Sequence, residues 1–310
     1  MQCIHYCINA DYLIINLNKI IGIGIGIIII SISLGSFFFF ENTFVQQEES
    51  NVSTGTTSYD AIMENDRKLL LVIDENFPPF SFKVNGIATG IDVEILELAM
   101  SRLEIPFETK ALPWSRALKM VETGEADVLV GAGYSDERAE YLYFTKDQVT
   151  SQKTGKLPEA YSTVHDVGFF IRQIHEDSLD FESLEQIKER GYRVGVDAGY
   201  VYNEILVREG LDIIEYNSGN ESFLALNRGE IDMYLGYQNV GLWILDGMEL
   251  QNEITYIDKP LFSYTLLAPF SKTSDYPNLK EIWEQTNNEL EKIHENNEVE
   301  AIYDRYILKE

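Results

Sequence analysis

The sequence predicts a mixed α/β protein of two similar lobes joined by a hinge and preceded by one N-terminal hydrophobic helix. Three observations predict it. From Lys68 onward, strand-like and helix-like segments alternate, the pattern of mostly parallel sheets covered by helices. The order strand, helix, strand, helix, strand occurs twice, and the closing turns share letters: Gly124-Glu125-Ala126-Asp127 against Gly229-Glu230-Ile231-Asp232, with Gly131 matching Gly236. Upstream, residues 20–40 are free of charge.

Taken in order, residues 20–40 come first. In a helix they rise about 31 Å, enough to cross a bilayer core of roughly 30 Å. Lys19 precedes them and Glu41, Glu48, Glu49 and Asp60 follow, which favours an inside N-terminus and an outside body. Residues 1–45 are read as either a signal peptide or an uncleaved membrane anchor, and 46–65, rich in Ser, Thr, Gln and Glu, as a tether.

In the first block, 69–75 is a buried strand, 91–103 a helix with Ile91, Ile95, Leu98 and Met100 near one stripe, and 107–112 a strand. Residues 114–123 form a helix ended by Gly124, and 126–131 a strand. The second block reads 193–197 strand, 200–209 helix, 212–216 strand, 221–228 helix and 231–236 strand. A helix-like VGLWIL, a strand-like 264–270 and two terminal helices complete the body. The chain crosses between lobes near Thr163–Val167 and again near Phe262–Thr265, so 66–163 with 265–310 form one lobe and 164–264 the other. Ligands of open α/β sheets bind beyond the carboxyl ends of the strands, which places a site between the lobes.

Composition narrows the function classes. The chain has 310 residues, 45% of them hydrophobic, enough for a substantial core. Against 51 Asp and Glu stand 24 Lys and Arg, a net charge of -27 that repels phosphate backbones and excludes nucleic acid as a partner. Cys3 and Cys7 lie upstream of the body, so no disulfide or thiolate metal site is expected in it. His5, His165, His175 and His294 lack metal-ligand spacing, and no Gly-x-Ser-x-Gly, Walker or His-Glu-x-x-His pattern occurs. No cofactor, metal or catalytic residue is expected.

The residues that stand out lie at strand ends. Asp74-Glu75-Asn76-Phe77-Pro78-Pro79-Phe80 follows the first strand, Gly90-Ile91-Asp92-Val93-Glu94 opens the first helix, and Arg138 to Phe144 closes the first block. With the Gly124 to Asp127 turn, these motifs resemble the family 3 extracellular solute-binding proteins, receptor subunits of polar amino-acid ABC transporters, over roughly residues 66–310. The resemblance implies a periplasmic-binding-protein type II fold. It implies that Arg138 grips a ligand carboxylate through two charge-assisted bonds, each worth about 1.5–3 kcal/mol. Phe77 and Trp114 match positions that flank the ligand side chain, and Asp74 one that reads a polar or cationic group. Ser135 sits in the same loop as Arg138 and joins the expected site. The turn Gly199-Tyr200-Val201-Tyr202 matches the one that meets the carboxylate from the other lobe, where amides at a helix start attract an anion.

Two departures qualify this. Amino-acid-binding members carry an aspartate five residues after the equivalent of Asp232, for the α-ammonium; here that position is Tyr237, whose ring offers a cation–π contact instead. The Asp127 to Arg138 loop is one residue shorter than usual. Residues 150–165 look like an insertion before the hinge.

The expectation is an exported, periplasmic or extracytoplasmic, binding protein that closes on a small polar, carboxylate-bearing solute for an ABC permease, membrane-associated through its N-terminal segment. Its rivals are a membrane-tethered sensory module and a cyclohexadienyl-dehydratase-like enzyme on the same fold.

Overall fold

The structure, a computed structural model, describes residues 67–146, 149–150, 164–176, 181, 183–266 and 268–307. The expected anchor or signal segment, the tether and most of the 150–165 insertion lie outside the described residues.

The first block runs β1 (Leu69–Asp74), β2 (Asn76–Phe77), β3 (Ser81–Val84), β4 (Ile87–Thr89), α1 (Ile91–Arg102), β5 (Phe107–Leu112), α2 (Trp114–Thr123), β6 (Val128–Leu129), α3 (Arg138–Tyr141) and β7 (Leu142–Tyr143). The second runs β8 (Val164–Arg172), α4 (Leu184–Glu189), β9 (Val194–Asp197), α5 (Asn203–Arg208), β10 (Ile213–Tyr216), α6 (Gly219–Arg228), β11 (Met233–Tyr237), α7 (Gln238–Gly247), β12 (Ile254–Tyr256) and β13 (Phe262–Thr265). β14 (Phe270–Ser271), α8 (Leu279–Glu295) and α9 (Glu298–Ile307) follow.

Two sheets result, one per lobe. The first has the order β5-β1-β6-β14-β7, with β1 parallel to both β5 and β6. Its central strand buries Leu69, Leu71, Val72 and Ile73, since helices cover both faces. The second has the order β10-β9-β11-β8-β12, with β13 also on β8; β9, β10 and β11 are parallel and β8 is antiparallel to them. β2, β3 and β4 form a small antiparallel sheet beside the first.

The repeated Gly-Glu-x-Asp turn has a physical role in both lobes. Gly124 and Gly229 take left-handed φ values of 79° and 72°, ending α2 and α6. Three residues later, Asp127 accepts from the Leu70 amide at 2.7 Å and Asp232 from the Arg193 amide at 2.9 Å. Each carboxylate ties a helix–strand turn to the start of a neighbouring parallel strand, β1 in the first lobe and β9 in the second.

Three expected elements differ. Residues 264–270 are not one strand: β13 stays in the second sheet, β14 joins the first, and the chain between them crosses from lobe to lobe. The helix predicted from 200 begins at Asn203, because Tyr200–Tyr202 form a turn after Gly199, whose φ is +77°. The strand predicted over 126–131 pairs only through Val128–Leu129, its edges being used by a glycine turn and the chain's departure towards α3. At the hinge, β8 and β13 run antiparallel from Val164 opposite Thr265 to Val167 opposite Phe262, so the crossing segments lie side by side. Thr163 lies outside the described residues.

Candidate functional site

The carboxyl ends of β1 and β9 face one another between the lobes. A cavity there is lined by Asp74, Phe77, Ser81, Trp114, Gly131, Gly133 and Arg138 from the first lobe and Tyr200, Val201 and Tyr237 from the second. Of the nine residues expected in the site, seven line it: Asp74, Phe77, Trp114, Arg138, Tyr200, Val201 and Tyr237. The volume left among them is about 10 Å³, on the scale of one water molecule. In this conformation the lobes are shut and their own side chains fill the cleft.

Ser135 and Tyr202 stand apart from the lining. The Ser135 hydroxyl accepts from the Arg138 amide at 3.2 Å, so it sets the arginine's backbone rather than meeting the cavity. Tyr202 is fully buried behind Tyr200 and donates to the Leu235 carbonyl at 3.2 Å. Its neighbour two residues earlier takes the place facing the cleft.

Arg138 is 5% exposed. Its Nη1 donates to the Gly133 carbonyl at 2.8 Å within its own lobe, and Nη2 to the Gly199 carbonyl at 2.8 Å across the cleft. The guanidinium carbon lies 5.6 Å from the Trp114 ring centre. Burial draws its pKa below the ordinary guanidinium value, but a guanidinium stays charged. Glu204 and Glu137 act on it from a distance, and no described carboxylate forms an ion pair with it. A buried cation bound only by carbonyls is a strong site for an anion.

The turn after β9, expected to meet an anion, also turns an acceptor towards Arg138. It presents the Gly199 carbonyl, an acceptor, which takes bonds from Arg138 and from Trp114 Nε1 at 3.0 Å. The Tyr200 amide is spent on the Asp197 carbonyl at 3.4 Å. The carbonyl occupies a guanidinium donor that an incoming carboxylate would otherwise take.

Asp74 is the cleft's acidic pole. Its carboxylate accepts from the Asn76 amide at 2.9 Å and from the Tyr200 hydroxyl at 3.0 Å, while burial pushes its pKa up to about 7. Aromatic rings make the wall: Phe77 meets Tyr237 edge-on at 5.1 Å, and Tyr200 stands 6.1 Å from Trp114, 6.3 Å from Phe77 and 5.7 Å from Tyr237. Behind them, Asp197 accepts from Ser222 at 2.8 Å and Tyr234 at 2.7 Å, its pKa raised to about 6 by burial.

Sequence reasoning missed Ser81, Gly131 and Gly133. A Cβ on Gly133 would stand 3.2 Å from Val201 Cγ1 of the opposite lobe, so glycine there permits close approach. The Gly-Ala-Gly run at 131–133 was the available signal, since it follows a strand that ends at the cleft.

Two lobes, each an α/β sheet, enclosing a cleft at their strand ends, define a type II periplasmic-binding-protein fold. The model of the bacterial extracellular solute-binding proteins, family 3, matches residues 69–309, and the chain belongs to that family. It is 22% identical over 233 residues, 74% of this chain and 79% of the relative, to the "Probable amino-acid-binding protein YxeM" of Bacillus subtilis (strain 168). Among solved structures it is similar to a histidine kinase sensor domain with similarity to periplasmic binding proteins, at 20% identity and a TM-score of 0.65, over 78% of this chain and 96% of that one. It is also similar to the ancestral amino acid-binding protein AncCDT-1, a precursor of cyclohexadienyl dehydratase, at 18% identity and a TM-score of 0.63, over 81% and 99% of the chains. The protein is thus an extracellular solute-binding protein of family 3. Among the described residues no helix is long and apolar enough to cross a membrane.

Proposed function

We propose that the protein, exported from the cytoplasm, captures a small carboxylate-bearing, amino-acid-like solute between its lobes and presents the closed form to an ABC permease. One observation carries the reading: Arg138, buried in the cleft, is a cation without a carboxylate partner among the described residues, and it already bridges the two lobes. A solute carboxylate replacing the Gly199 carbonyl would exchange a neutral acceptor for a charged one, and that gain would hold the lobes closed. Phe77, Trp114, Tyr200 and Tyr237 supply apolar contact, and Asp74 an acidic pole. The side chains must part to admit the solute, since the closed cavity is of single-water size; hinge opening along the paired β8 and β13 provides that motion.

The test is a thermal-shift screen of the full-length protein against amino acids, polyamines and small organic acids. The expected hits carry a carboxylate and vanish in Arg138→Ala. Hits restricted to cations without a carboxylate, or a response unchanged in Arg138→Ala, would overturn the reading.

A second reading, a membrane-tethered sensory module, is favoured by the resemblance to the histidine kinase sensor domain and by the uncharged residues 20–40. The same solute capture would then feed a signalling partner instead of a permease; whether neighbouring genes encode permeases or kinases separates the two. A dehydratase activity, the third rival, is tested by turnover of prephenate or arogenate by the purified protein.

A further inference from the structure

Behind the cleft wall lies a carboxylate that the proposed function leaves unused. Asp92, in the first turn of α1, is 9% exposed, yet its side chain has no hydrogen-bond or ion-pair partner among the described residues. A first-turn acid ordinarily complements the helix dipole from the surface or accepts from its own turn's amides. Asp92 does neither. Its backbone amide donates to the Phe80 carbonyl at 2.9 Å, pinning the residue, while its carboxyl is buried without a donor. Burial alone drives its pKa up to about 7.

The carboxyl stands directly behind the Gly131 edge of the cleft, outside the lining itself. Gly131 and Ser81 both line the cavity. A side chain at Gly131 would begin 3.8 Å from Asp92 Oδ2 and 3.9 Å from Ser81 Oγ, so the missing side chain leaves both oxygens beside the lining. Tyr303 of α9 is near enough for Asp92 to help raise its pKa, and its hydroxyl is buried without a partner among the described residues. An unpaired buried carboxyl costs several kcal/mol unless it is neutral or meets a cation. The position at which related amino-acid binders would hold a solute ammonium carries Tyr237 here, which supplies no charge.

We propose that Asp92, with Ser81, forms a cation subsite of the cleft, taking an ammonium group of the bound solute at the point where Gly131 carries no side chain. The inference rests on the reading of the cleft as the solute site, and it narrows the solute to a zwitterion: carboxylate on Arg138, ammonium on Asp92. The acidic centre for the ammonium thus comes from the first lobe, the same lobe as the arginine, so that lobe recognises both charged groups and the second lobe closes over them.

The experiment uses full-length protein and calorimetric titration with probe pairs that share a skeleton: L-alanine and propionate, L-leucine and 4-methylpentanoate, L-arginine and 5-guanidinopentanoate. The wild type is expected to bind at least one amino acid, and its deaminated partner about 10- to 100-fold more weakly, the range for losing a charge-assisted hydrogen bond. Asp92→Asn should lower affinity for the amino acid by a similar factor and leave the deaminated partner unchanged. If Asp92→Asn does not fold, Gly131→Asn carries the test, since asparagine tolerates the left-handed φ of 80° there and its side chain would start beside Asp92 Oδ2 and Ser81 Oγ. The same selective loss is expected.

Amino-acid preference unchanged in the variants, or both members of a pair weakened equally, overturns the subsite while binding that depends on Arg138 keeps the cleft reading. Deaminated acids binding as tightly as amino acids do the same. Failure of every probe in both series against the wild type overturns the cleft reading, and the subsite with it.

Discussion

The hydroxyl of Tyr200, carried by the second lobe, donates to Asp74 Oδ2 at the end of β1 in the first lobe, at 3.0 Å. The cleft is therefore latched by a bond whose acceptor titrates. Tyr200→Phe keeps the ring among Phe77, Trp114 and Tyr237 and deletes the donor. Closure of the ligand-free protein should weaken by about 1–3 kcal/mol, because a buried carboxylate loses one of its two hydrogen bonds. Small-angle X-ray scattering at pH 8 should report a larger radius of gyration for the variant; an unchanged radius would mean the latch adds nothing to closure.

Stability should fall as pH rises through the weakly acidic range. Asp74, Asp92 and Asp197 have folded pKa values raised by burial to about 7, 7 and 6, from 3.8. Between the unfolded and folded values the folded state holds more protons, so each contributes stability at low pH that is lost as pH rises through its folded value. His165 opposes them. It is wedged between Phe80 at 4.4 Å, Phe77 at 5.7 Å and Tyr237 at 5.7 Å, both ring nitrogens lacking partners among the described residues, and burial lowers its pKa to about 3 from 6.5. The unfolded state then holds more protons, so its contribution is lost as pH falls below 6.5. Three carboxyls outweigh one imidazole, and the surplus of acidic residues acts in the same direction. The ligand-free Tm should be higher at pH 5 than at pH 8 by calorimetry, with the difference reduced in Asp197→Asn. A Tm that climbs from pH 5 to pH 8 would contradict this assignment.

Much of this was legible from residue order alone. Glycine stops at 124 and 229, runs of buried β-branched residues, and the Phe77-Pro-Pro-Phe80 loop mark elements and cleft edges because backbone preference and burial act locally. What escaped was set by long-range approach. Gly131 and Gly133 carry no reactive group, and their value lies in what passes near them. Tyr200 and Tyr202 are equally plausible by letter; only the turn after Gly199 decides that the first faces the cleft and the second the core. Asp92 reads as an ordinary first-turn acid until its burial is known.

Gly133 offers a test of closure that leaves the charged groups untouched. Its missing side chain admits Val201 Cγ1, with Leu266 Cδ2 at 3.6 Å from the same point. Gly133→Val places a branched side chain between the lobes. Each lobe keeps its own sheet, so folding should survive, with Tm within a few degrees of wild type. The closed form should be depleted, with scattering reporting an open particle and solute affinity falling at least about tenfold, the loss expected when overpacking of about 1–3 kcal/mol opposes one state. Wild-type affinity in this variant would show that Val201 does not approach Gly133 in the bound form.

Arg138 itself should display a trade between stability and binding. Its guanidinium is desolvated, its pKa is drawn down by burial, and no described carboxylate pairs with it, Glu204 and Glu137 acting only from a distance. The two carbonyl bonds recover part of that cost, but Gly199 keeps its bond from Trp114 when the arginine is removed. Arg138→Met retains the apolar stem against Trp114 and discards the charge. The ligand-free Tm of this variant should equal or exceed the wild-type value, as expected where a buried charge is kept for function rather than for the fold. Stabilisation by any carboxylate-bearing solute that shifts the wild type should disappear in the same thermal-shift assay. A marked drop in ligand-free Tm would instead make the arginine a structural bridge between Gly133 and Gly199, with closure its purpose and solute recognition placed elsewhere in the cleft.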